Sequence, residues 1–177
     1  LERNRAVAER LDSGPISLRG APADTGGLSY RRVRMEGDLD RDRIVLLAGR
    51  SRGGAPGVHV LAPLRAADGA ILVNLGWLPA PDAATVDPAA LPGDGRFRVE
   101  GVLLPFPDVD LDARPDTFRT TWFRLDGEAV RAQFPYRIAP LYVRATDRPT
   151  PADAPARDLG GQSEPSGPAG PVPLDPP

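Results

Sequence analysis

The chain has no cysteine and no lysine, and its 177 residues include one histidine and one methionine. Without cysteine there is no disulfide, no thiolate metal site and no thiol nucleophile. A cysteine-free chain suits either redox environment, so the compartment stays open on this count. The lone histidine, His59, excludes a histidine-cluster metal site. Serine or carboxylate chemistry would remain available. No apolar run approaches the roughly 20 residues that a bilayer-spanning helix needs. All 22 basic residues are arginine, interspersed with acidic ones, and the formal charge is −2. No basic stripe marks a nucleic-acid footprint. The first residue is Leu1, not Met, so the chain reads as an excised piece whose missing ends could carry an address or an anchor.

What the sequence has in quantity is proline and glycine, 22 and 19 residues, beside 41% hydrophobic residues. Loops and strands are therefore favoured over helices. Residues 1–12 read as a short surface helix ended by Ser13-Gly14-Pro15, and 19–27 as a loop. Residues 28–39 alternate, with Val33, Met35 and Leu39 on one face and Arg32, Arg34 and Glu36 on the other, as in a half-buried strand. Residues 43–50 are apolar on both faces, which predicts a strand covered on both sides. Residues 57–65 and 70–78 make a hairpin around Asp68-Gly69. Residues 80–94 are a Pro/Ala-rich connection with a helical turn at Pro88 to Leu91, and 95–104 alternate as another strand. After an acidic loop at 105–119 come a short strand from Trp122 to Leu125, a helix from Gly127 to Phe134 capped by Asp126, and a last strand at 137–145.

The expected fold is α+β and β-rich: an antiparallel twisted sheet or partly closed small barrel of about six or seven strands, with two short helices. Residues 1–146 form the domain. Residues 147–177 are dense in proline and glycine and poor in large apolar side chains, so they read as a semi-extended linker.

Strict alternation puts Ile71, Val73, Leu75 and Trp77 on one buried face of the second hairpin strand. His59 falls on the opposite face of its strand from Val58 and Val60. His59 and Trp77 are the candidates for touching a cofactor, and no second histidine could help ligate one. Asp108, Asp110, Asp112 and Asp116 alternate like a calcium loop. However, the sixth and twelfth places counted from Asp108 hold Ala113 and Arg119 where an EF-hand needs Gly and Glu. No nucleophile elbow, phosphate loop, dinucleotide fingerprint or H-E-x-x-H is present. No residue is nominated as catalytic or as a metal ligand.

The hairpin run G-x-x-V-x-x-P-L, D-G, L-V-N-x-G-W-x-P resembles the signature of the Surfeit locus protein 1 family. Gly57, Val60, Pro63, Leu64, Gly69, Leu72, Val73, Asn74, Gly76, Trp77 and Pro79 carry it. Tyr30, Val33 and Gly37 fit the family's opening strand, and Val99, Gly101 and Leu103 its V-x-G-x-L strand. Trp122, Asp126 and Pro140 fit its closing segment. The resemblance covers about residues 1–146. It implies a non-enzymatic assembly factor for haem-a-containing cytochrome c oxidase, aiding haem a insertion or subunit assembly. This would be the extracytoplasmic domain, on the periplasmic or intermembrane-space side, between two transmembrane helices.

The partners implied are cytochrome c oxidase subunits, haem a synthase and the membrane, with no nucleic acid. Any haem a would be held through the missing membrane region, and no cofactor is expected in this domain. Asn74, Gly76, Trp77 and Pro79, with Arg32 and Arg96, are the candidate partner-binding residues. One position departs from the family, which usually writes N-R-G-W where this chain has Leu75. Two other classes of function stay open: a permanent structural subunit of a respiratory complex, and an extracytoplasmic ligand-binding module.

Overall fold

The computed structural model describes residues 2–107, 115–153 and 170–174. Among these, helix α1 (Glu2–Asp12) is followed by nine strands and a second helix. The strands are β1 (Ile16–Leu18), β2 (Arg32–Leu39), β3 (Val45–Arg52), β4 (Ala55–Ala66), β5 (Gly69–Pro79), β6 (Gly95–Pro105), β7 (Thr121–Trp122), β8 (Ile138–Ala145) and β9 (Thr150–Pro151). Helix α2 (Gly127–Ala132) lies between β7 and β8.

Five of these strands close on themselves. The cycle runs β2, β4, β5, β8, β6 and back to β2. Closure rests on a short antiparallel pairing of Asp38 with Arg65 and Leu39 with Leu64. Four pairings of the cycle are antiparallel and one, β5 with β8, is parallel. This Greek-key connectivity is that of OB-type barrels. β3 extends the sheet beyond β4, β7 pairs parallel to β3, β1 pairs parallel to β2, and β9 pairs with β6.

Alternation along the strands fills the barrel. Val33, Met35, Val58, Val60, Leu64, Ile71, Val73, Leu75, Leu103, Leu141 and Val143 all face one core and are at most 3% exposed. A second apolar layer covers part of the outside. Val45 and Leu47 of β3, Leu61 of β4 and Leu72 of β5 lie under Trp122, Val130 and Phe134. β3 is thus covered on both sides, with Ile44 and Leu46 on the inner cluster. α2 is fixed there by its cap, since the Asp126 carboxylate accepts the Ala129 N–H at 3.0 Å. Arg43, Arg119 and Arg131 lie over the rings of Phe118, Trp122 and Phe106, which rims this layer with cations.

The β-rich class, the barrel and the two helices agree with the sequence reading. The strand count is higher and the barrel is fully closed. β9 falls in the segment expected to be a linker and β1 in residues 16–18, to which the sequence assigns no element, because two and three residues beside Pro and Gly give no period. The strand expected from Trp122 to Leu125 shortens to Thr121–Trp122, and the helix ends at Ala132 instead of Phe134. The turn at Pro88–Ala90 is a 3-10 turn whose cap is Asp87, accepting from the Ala89 N–H. Asp108, Asp110 and Asp112 lie outside the described residues. Within the Pro-rich tail, β9 pairs with β6, and Val172 makes a bridge to Trp77.

Candidate functional site

The hairpin of β4 and β5 carries one irregularity. Val60 lies opposite Gly76, yet Leu61 lies opposite Asn74, so Leu75 is an extra residue on β5. Such a bulge shifts the phase of every side chain beyond it. Up to Leu75 the odd-numbered residues face the barrel interior; past it Leu78 does, and Trp77 does not. The placement of Trp77 with Ile71 and Val73 is therefore corrected. Trp77 lies on the outer face, directly opposite His59. Alternation placed His59 on that face, and the bulge brings the tryptophan to it.

The indole is 9% exposed. Gly57 makes its position possible, because a Cβ there would overlap the indole Nε1 and the Leu78 carbonyl. The ring instead crosses β4 and its N–H points to the Arg50 carbonyl of β3 at 3.4 Å. Asn74 is 5% exposed and ties the bulge together, its Oδ1 accepting the Gly76 N–H at 3.0 Å. That bond orients the amide, so Nδ2 faces His59 Nδ1 at 3.5 Å.

The imidazole is pushed down to about 4, first by burial and then by the guanidinium groups of Arg50 and Arg144. His59 is thus a neutral ring at physiological pH. Its described partner is the Asn74 amide, not a serine or carboxylate.

The registers extend this patch across the barrel in one row. Asn74 lies beside Arg144 of β8, Arg144 beside Val102 of β6, and Val102 beside Arg32 of β2. Arg32 is exposed and, among the described residues, has no ion pair; Val102 is 3% exposed. Arg50 buries its Nε with no hydrogen-bond partner among the described residues. The sequence reading missed Arg50 and Arg144, which carry no motif and are brought in by β3 and by the parallel β8.

Other candidates lie elsewhere. Arg96 faces Asp38 near the far end of β6, about 20 Å along the strand from Val102. It approaches Glu36 at 3.8 Å. Arg34 and Arg98 are engaged by Glu100 and Glu36 at 2.5 and 2.9 Å. Pro79 is exposed at the end of β5, opposite Gly57. Gly76, which follows the extra residue Leu75, has φ +122°. The described residues hold no cluster of three or more histidine or acidic side chains placed to bind a metal.

The SURF1 family model matches residues 1–171. A SURF1-like protein of Monosiga brevicollis is 31% identical over 169 residues, covering 87% of this chain and 62% of the relative. One of Dictyostelium discoideum is 34% identical over 79 residues, which is 39% of this chain and 29% of that protein. The chain spans about three-fifths of the length of the first relative. With the match running through the hairpin, the bulge and the barrel, the chain belongs to the SURF1 family.

Proposed function

We propose that this chain is the extramembrane domain of a non-enzymatic assembly factor for haem-a-containing cytochrome c oxidase. It acts at the extracytoplasmic face of the membrane, on haem a insertion or on subunit assembly. The observation that carries this reading is the family match over residues 1–171. The SURF1 family is membrane-associated and associated with respiratory-complex assembly. Among the described residues no helix is long and apolar enough to cross a membrane.

The surface of the domain fits docking better than chemistry. The outer patch joins a nearly buried indole, a buried amide, a neutral imidazole and the exposed Arg32. Tryptophan and arginine are the residues that most often dominate protein interfaces. Oxidase subunits are the partners of this reading, with haem a synthase beside them. Haem a enters as cargo of the assembly.

The test is to purify the tagged full-length protein from membranes and quantify what accompanies it. The reading predicts enrichment with immature, haem-poor oxidase and only traces in the active enzyme. A constant equimolar presence in active oxidase would instead make it a structural subunit.

A further inference from the structure

We propose that the mouth of the barrel beside Leu75 is a binding site for a medium-chain carboxylate, whose apolar chain enters a cavity there while its charge meets Arg148. The inference does not depend on the oxidase reading.

The cavity has a volume of about 230 Å³. Four parts of the chain wall it. Leu75 of β5 and Phe97 of β6 come from the barrel, Leu91 from the end of the turn at Pro88–Ala90, Pro149 from the approach to β9, and Pro171 from the tail. Each part is held by its own bonds. Arg41 Nη2 donates to the Pro88 carbonyl at 2.9 Å and fixes the turn. β9 pairs with β6, and the Ala152 N–H donates to the Arg96 carbonyl at 2.8 Å. The tail is fastened by Val172, which exchanges two backbone hydrogen bonds with Trp77 at 2.7 and 2.8 Å. The walls therefore stand without a ligand, and none of them fills the space between.

Side chains in a protein interior normally close such a space. Here every side chain at the wall is apolar except that of Arg148, so water inside finds few partners. An apolar cavity of about 150 Å³ takes up benzene, so this one has room for a chain of about six to eight carbons. It lies below the size that drug-sized ligands occupy.

The rim supplies the sign of the charge. Arg148 is exposed and, among the described residues, makes no ion pair. Its neighbour Asp147 accepts from the Thr146 hydroxyl at 3.4 Å. A guanidinium at the edge of an apolar cavity matches a carboxylate at the end of an apolar chain, because it can donate to both carboxylate oxygens. An uncharged chain of the same length gains only the burial.

The test titrates octanoate into the full chain and follows the methyl signals of Leu75 and Leu91 by NMR. One-to-one binding that saturates near about 1 mM or below is expected. Octanol is expected to bind about tenfold more weakly, and Arg148→Gln to weaken octanoate by the same factor while leaving octanol unchanged. Gly170→Leu is expected to abolish binding of both. Residue 170 lines the cavity, and a Cβ there meets only the Ala90 carbonyl at 4.0 Å, so the added side chain occupies the space without a backbone clash. Absence of octanoate binding, equal affinity for octanol, undiminished binding to Arg148→Gln or undiminished binding to Gly170→Leu would each overturn the proposal.

Discussion

His59 ionises near neutrality in an unfolded chain, and its surroundings move it out of that range. The unfolded chain takes up its proton near 6.5, whereas the folded one waits until about 4. Between those values the unfolded state binds more protons, so folding stability falls as pH drops through that window. Above it the histidine is without effect. The ring is partly solvated, which makes the loss smaller than the shift alone implies. The melting temperature of the wild type should fall faster than that of His59→Gln between pH 6.5 and 4.5, and the two should run parallel above pH 7. Parallel curves throughout would mean a solvated imidazole. Leu75 makes the second residue-scale case. It is 2% exposed in the barrel core, so Leu75→Arg must bury or distort around a guanidinium. A loss of about 2 kcal/mol or more in urea denaturation is expected. An unchanged midpoint would show that the position opens to solvent.

The bulge is the element that decides the site, and it marks where sequence reading stops. Period-two alternation placed Val58, Val60, Ile71 and Val73 inside and His59 outside, and the structure agrees. One inserted residue then reversed the face of Trp77, and no apolar pattern announces an extra residue when the strand stays apolar through it. The parallel pairing of β5 with β8 was equally hidden, because it joins segments about 70 residues apart with no local signal. Val172 was unreadable as a strand because proline stands on both sides. The positioning of Trp77 gives an element-scale prediction. Gly57→Ala places a methyl where the indole lies, so the ring must leave β4. In a Trp122→Phe background the emission of Trp77 should shift to the red, with a stability loss of about 1–3 kcal/mol. An unshifted spectrum would place the indole elsewhere.

At the scale of the whole molecule, the barrel closes through two residue pairs, and Leu64 belongs to one of them while buried at 1% exposure. Leu64→Ala is expected to cost about 2–5 kcal/mol, read by denaturant unfolding. A loss below about 1 kcal/mol would mean that the closing strands collapse onto the gap. The family match runs through the whole closed barrel, and the function proposed above is a property of the whole protein. The most direct test is a reduced-minus-oxidised spectrum of membranes from cells lacking this gene, with oxidase subunits quantified alongside. The account predicts loss of the haem a band while apo-subunits persist, restored by the wild-type gene. A normal haem a band with a normally active oxidase would contradict it.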